Sequence, residues 1–190
     1  MASGKEGIIF IPDISGFSSF VKNTDGTKGA EVTAQLLDVM LKNNYLSFDI
    51  SEIEGDAVLF YKFGKTFSIP SILGQYEALL GRFNAKLEEL AIDTPKVKKL
   101  SLKLIVHYGV IEEISVKGFY KLYGNVVIEA HRLLKNAIGG NTYALITDAY
   151  LKANGEEDFT VENMGRICEL HSDIGKICYS YYPYRSLADF

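Results

Sequence analysis

The sequence predicts an α+β fold in which helices pack on one main sheet, and three observations carry that prediction. Apolar runs of period two alternate with stretches of helical period, two pairs of strand-like runs are joined by short turns, and strands pass directly into helices. With 190 residues and 47% hydrophobic content the chain can bury one substantial core, so a single domain is expected over residues 1–190, its core at about 7–184.

The elements follow in order. Gly7 to Pro12 is a compact β-branched and aromatic run that fits a buried strand ending at Pro12, after which Asp13 or Ser15 is placed to cap a helix. From Gly29 to Asn43 the apolar residues Val32, Leu36, Leu37, Met40 and Leu41 fall at helical spacing, with Lys28, Glu31, Gln35 and Asp38 on the other face. Phe48 to Glu54 alternates, Ala57 to Phe63 is β-rich, and Glu54-Gly55-Asp56 between them reads as a hairpin tip. Pro70 suits the first turn of a helix that runs to about Leu90 and is closed by Asp93-Thr94-Pro95. Leu100 to Ser115 reads as a long strand, Gly118 to Tyr123 as an aromatic hairpin arm, and Asn125 to Ile138 as a helix stopped by Gly139-Gly140. Tyr143–Ile146, Phe159–Met164 and Ile177–Tyr182 complete the strand candidates.

Composition narrows the function. The formal charge of -4 is mild, and Lys96, Lys98 and Lys99 are interleaved with apolar residues, so nucleic acid is not an expected partner. The apolar stretch Ile8 to Ile11 is too short for a signal segment or a membrane span, which points to the cytoplasm and away from a membrane. Cys168 and Cys178 have no histidine at zinc-finger spacing and are expected to be reduced and structural.

Two acidic clusters carry the chemistry. Phe10-Ile-Pro-Asp13-Ile-Ser-Gly-Phe17 and Glu54-Gly-Asp56-Ala57 each place a carboxylate where an apolar run meets a turn, a pairing that suits a divalent cation. A third segment, Tyr123-Gly-Asn-Val-Val-Ile-Glu-Ala-His-Arg132-Leu, offers a guanidinium on an early helical turn for a phosphate beside such cations. Either acidic segment alone also reads as an ordinary N-cap or turn pair, so the combination carries the inference.

On these three segments the chain resembles the class III nucleotide cyclases, the catalytic domains of adenylate and guanylate cyclases, from Ile8 to about Tyr182. The resemblance implies a ferredoxin-like sandwich with a mostly antiparallel sheet. It implies Mg²⁺ or Mn²⁺ bound by Asp13, Asp56 and the backbone carbonyl of Ile14, and Arg132 stabilising the pentavalent phosphate as a purine nucleoside triphosphate cyclises. Four positions before Arg132, where active enzymes carry a ribose-orienting asparagine, this chain has Ile128, which can neither donate nor accept a hydrogen bond.

Glu52 matches the base-selecting position, where guanylate cyclases have Glu, and its companion matches Lys121, which can instead pair with Glu52 and close the pocket. His171 takes the place of a lysine that grips the triphosphate, with Lys176 close behind; it also reads as an exposed loop histidine. His107 matches an architectural His-x-Gly. Because metal ligands and arginine come from opposite subunits in this class, a homodimer is implied. The expected function is a divergent cyclase-like domain that binds a purine nucleotide, a divalent metal or both with little or no cyclisation, in a sensory or regulatory role. The alternatives are an active purine nucleotide cyclase using two-metal catalysis and a plugged structural scaffold.

Overall fold

The computed structural model describes residues 4–64 and 66–187; the N-terminal lead Met1-Ala2-Ser3 lies outside the described residues. Its strands are β1 (Lys5–Ser15), β2 (Asp49–Glu54), β3 (Ala57–Phe63), β4 (Ser101–Val116), β5 (Phe119–Tyr123), β6 (Tyr143–Thr147), β7 (Gly165–His171) and β8 (Gly175–Pro183). Its helices are α1 (Phe17–Lys22), α2 (Gly26–Lys42), α3 (Ile69–Leu90), α4 (Asn125–Leu133) and α5 (Asp148–Asn154), with a 3-10 turn at Pro95–Lys99. The sheet runs β2-β3-β1-β4-β6-β8-β7, with β5 folded back on the far end of β4. All pairings are antiparallel except β4 with β6. The order β2-β3-β1-β4, reached through a β-helix-β-β-helix-β path, is the ferredoxin-like core.

Both faces of the sheet are buried, and the alternation of β1 divides them. Ile8, Phe10 and Ile14 join Phe20 of α1, Val32, Leu36 and Met40 of α2, and the apolar stripe of α3, whereas Ile9 and Ile11 meet Val126, Val127, Ala130 and Leu133 of α4. The helices start on chemistry visible in the chain: Asp25 accepts from the backbone N–H of Thr27 and Lys28 at the start of α2, and Ser68 accepts from Ser71 N–H ahead of Pro70 in α3.

Several expectations are corrected. Strand β1 does not stop at Pro12 but continues to Ser15; its ladder with β4 is unbroken there, while the ladder with β3 skips Ile11 and Pro12, where proline lacks a donor. Asp13 is therefore a strand residue, not a cap, and α1 begins after Gly16 without a side-chain cap. Helix α4 ends at Leu133 instead of Ile138, because Asn136 donates to the Leu133 carbonyl and to the Tyr143 hydroxyl and turns the chain. Residues 159–164 are irregular with a turn at 162–163, and the strand begins at Gly165, where a Cβ would lie 2.2 Å from the Tyr181 ring. Cys168 and Cys178, directly opposed on β7 and β8, form a disulfide and are not free thiols. Among the described residues, no helix is long and apolar enough to cross a membrane.

Candidate functional site

The C-terminal end of β1 and the β2–β3 turn meet because Asp13 pairs with Ala57 in the sheet register. The N–H of Ile14 donates to the carbonyl of Asp56 at 3.1 Å and pins the turn against the strand. Gly55, at φ +61, supplies the left-handed conformation that lets β2 return as β3 in two residues. The carboxyl groups of Asp13 and Asp56 consequently lie close enough for their charges to interact.

That proximity shapes their protonation. Burial raises the Asp13 pKa above its ordinary value, with Lys103 pulling the other way. Burial, followed by the neighbouring charge of Asp13, pushes Asp56 up to about 6. Two carboxylates and a backbone carbonyl form an all-oxygen donor set of the kind Mg²⁺ and Mn²⁺ take, and the repulsion between the two aspartates is what a divalent ion relieves. The residues fit such an ion, with one competitor: the ammonium of Lys103 lies 2.9 Å from Asp13 Oδ2 and also donates to the Leu134 carbonyl at 2.9 Å. Lys103 is the direct β4 partner of Asp13 and projects to the same side of the sheet. The sequence offered one sign of it, a lone cation among Leu102, Leu104 and Ile105.

Arg132 lies on the last turn of α4, not on an early one, because the helix ends at Leu133, and it pairs with Asp173 in the β7–β8 turn. Asp173 is held below its ordinary pKa first by its own backbone N–H and then by Arg132. Lys121 on β5 reaches Glu52 on β2, with Nζ 3.4 Å from Oε2, the closing salt bridge that the sequence offered as one option. Ile128 is half exposed on a cleft of about 480 Å³ that it shares with Tyr123, Lys121, His131, Arg132 and Lys135. His171 is not in a loop: it ends β7, its side chain 15% exposed and its Nε2 3.6 Å from Glu169 Oε2, near the Asp173 that holds Arg132. His107 is a satisfied core residue, its two ring nitrogens bonded to Thr147 and Glu129.

Together, the ferredoxin-like core and the position of the acidic pair define a protein with the fold of the class III nucleotide cyclase catalytic domain. Solved structures agree. The guanylate cyclase domain of RhGC from Catenaria anguillulae, in complex with GTP, superposes with TM-score 0.64 at 15% identity, covering 95% of this chain and 97% of that one. A bacterial light-regulated adenylyl cyclase superposes with TM-score 0.62 at 18% identity, covering 94% and 90%. By sequence, the chain belongs to the family described as "Protein of unknown function (DUF2652)", whose model matches residues 33–143, more than half of its length. It is also 30% identical over 122 residues to the uncharacterized protein Rv2561/Rv2562 of Mycobacterium tuberculosis, a match covering 60% of this chain and 57% of that relative.

Proposed function

We propose that the chain is one cyclase-like domain, acting as a homodimer, that binds a purine nucleoside triphosphate together with Mg²⁺ or Mn²⁺ and cyclises it slowly or not at all, in a sensory or regulatory role. The convergence of Asp13 and Asp56 carries this reading: a buried carboxyl beside a half-buried one makes ionisation costly, and a bound cation would offset that cost. Asp13, Asp56 and the Ile14 carbonyl would bind the metal, and Arg132 and His171 the phosphates. Glu52 and Lys121 would face the base, and once their salt bridge opens the Glu52 carboxylate suits the N1 and N2 hydrogens of guanine. When bound, the ion supplies charge neutralisation at the phosphates.

Weak or absent cyclisation follows from Ile128. A side chain without hydrogen-bonding atoms stands where the resemblance calls for an amide, and one missing donor of this kind lowers a rate about 100- to 1,000-fold. The homodimer is supported by uncovered apolar side chains on β2 and on the β4–β5 arm, Ile50, Ile53, Val116, Phe119 and Tyr120 among them. In this reading the protein works in the cytoplasm, where the Cys168–Cys178 bond would be reversible.

The test is titration of GTP and ATP in the presence of Mn²⁺, followed by product analysis. Binding that Asp13→Ala or Asp56→Ala abolishes, without cyclic product, supports the proposal. A cyclic product lost in Arg132→Ala selects the active enzyme, which the intact aspartates and arginine favour; absence of nucleotide and metal binding leaves a structural scaffold and refutes both.

A further inference from the structure

The outer end of β2 carries a second set of ligand atoms. Glu52 and Glu54 are two residues apart on one strand and so share a face, the side on which their β3 partners Leu59 and Ala57 meet α4. His131 follows the buried Ala130 on α4 and reaches the same place, its Nδ1 3.2 Å from Glu54 Oε2. One donor atom from each of Glu52, Glu54 and His131 lies within 4.8 Å of the other two. We propose that Glu52, Glu54 and His131 form a binding site for a first-row transition-metal ion, Zn²⁺ above all, separate from the Asp13–Asp56 pair.

Geometry, desolvation and ligand chemistry each support the assignment. Tetrahedral Zn²⁺ with bonds of about 2.0–2.2 Å holds its ligand atoms roughly 3.3 Å apart, which the His131–Glu54 separation already matches; Glu52 closes the remainder by a side-chain adjustment. Glu52 Oε1 is buried and finds no hydrogen-bond donor among the described residues, so a carboxylate oxygen has lost its water without gaining a partner. A metal bond to this carboxylate would offset that loss. One imidazole with two carboxylates is a donor set that Zn²⁺ takes, whereas Mg²⁺ and Ca²⁺ avoid nitrogen.

Lys121, Arg132 and Lys135 line the same cleft and oppose any cation there, so an ion at this site depends on the strength of its bond to nitrogen. Lys121, with its side chain 56% exposed, is free to swing from Glu52 into solvent. Three protein ligands would leave a fourth position for water or another ligand atom, as in catalytic zinc sites. Metal there engages Glu52 and so competes with a purine base for the same carboxylate. The site does not depend on nucleotide binding.

The experiment is calorimetric titration of the full chain with ZnCl₂ alone, with the visible absorption of bound Co²⁺ as a second readout of the coordination sphere. One Zn²⁺ per chain is expected, bound at least 10-fold more weakly by His131→Ala and by Glu54→Gln. Affinity is expected to stay within threefold of wild type in Asp13→Asn/Asp56→Asn, with folding of each variant checked by its thermal transition. Absence of Zn²⁺ uptake by the wild type, or unchanged affinity in folded His131→Ala, overturns the proposal. Uptake lost in the double aspartate variant but kept in His131→Ala also overturns it, since the ion then belongs to the other pair. Failure of GTP and ATP to bind would refute the nucleotide reading and leave this site standing.

Discussion

Replacing Lys103 with methionine separates the two roles of its ammonium and tests whether the acidic pair is built for a cation. The side chain of Asp13 is 11% exposed and that of Lys103 18%, and their charged atoms are 2.9 Å apart. Methionine keeps the aliphatic stem but strands Asp13 as an uncompensated buried charge beside Asp56, a change that costs about 3–5 kcal/mol in comparable pairs. Proton uptake by the aspartates relieves part of this, so we take about 3 kcal/mol at pH 8. Roughly 1 kcal/mol belongs to the lost hydrogen bond to the Leu134 carbonyl and is independent of pH.

The remainder depends on the charge of Asp13. The folded-state pKa of Asp13 already lies above the ordinary value of 3.8, and losing Lys103, which lowers it, moves it higher. A carboxyl whose pKa is raised by folding binds its proton more tightly when folded, so stability is greatest at low pH and falls as pH climbs from the unfolded value through the folded one. The deficit of Lys103→Met is therefore about 1 kcal/mol near pH 4 and about 3 kcal/mol at pH 8. Mn²⁺ at about 100 times its dissociation constant adds roughly 2.7 kcal/mol to the native state, and more to the variant than to the wild type at equal concentration, because the competing ammonium is gone. Urea unfolding followed by far-UV circular dichroism at both pH values, with and without Mn²⁺, reads all of these differences. A deficit equal at pH 4 and pH 8 would show that Lys103 does not compensate Asp13; no extra gain from Mn²⁺ would refute the metal role of the pair.

Four further outcomes are expected. Asp56→Asn removes a carboxyl pushed up to about 6 by burial and by Asp13, and should stabilise the metal-free protein at pH 8 by about 1–2 kcal/mol after allowance for its partial exposure, with the gain vanishing below pH 4 and Mn²⁺ stabilisation lost; urea midpoints check it. Asp173→Asn frees Arg132 from its salt bridge and should tighten triphosphate binding about 3- to 10-fold in calorimetry, with little change in thermal midpoint because the pair is nearly half exposed. Ile128→Asn restores an amide on the cleft and should raise any cyclic product by up to about 100-fold in a chromatographic assay, whereas a pure binding module would give none. Reduction of Cys168–Cys178, separated by 10 residues, should lower stability by about 2–3 kcal/mol, read as a shift of the urea midpoint under reductant.

The elements that place the acidic pair were legible because their signals are local. The hairpin tip at Gly55-Asp56 is announced by an alternating run before a glycine and a β-rich run after it, and α3 by Pro70 in its first turn. Strand β7 escaped because its side chains alternate only between half-buried and exposed, so Arg166, Glu169 and His171 give no apolar run, while Phe159, Val161 and Met164 imitate one in an irregular segment. The disulfide was missed for the same reason: with β7 misplaced, Cys168 has no cross-strand partner. Lys103 and Asp173 act on residues distant in sequence, and no local pattern announces a counter-ion. Ile128 and Arg132 were legible as positions on a helix, but the cleft they share with Lys121 exists only once β5 folds back on β4.

Three positions of the proposed site carry a partner of opposite charge from the same chain: Lys103 on Asp13, Asp173 on Arg132 and Lys121 on Glu52. These pairs are unequal. Arg132–Asp173 is close to half exposed on both sides, and Lys121 is more exposed still, so opening either costs about 1 kcal/mol or less and a triphosphate or a base can compete with them. Asp13–Lys103 is buried, and an entering ion takes over the charge at Asp13 while leaving the ammonium, among the described residues, with the Leu134 carbonyl as its partner. In this reading the phosphate and base contacts are available at little cost, and the metal is the threshold. A domain so arranged needs a higher concentration of the divalent ion to fill its site than free carboxylates would, because the ion must displace a buried charge of the same sign before it can bind.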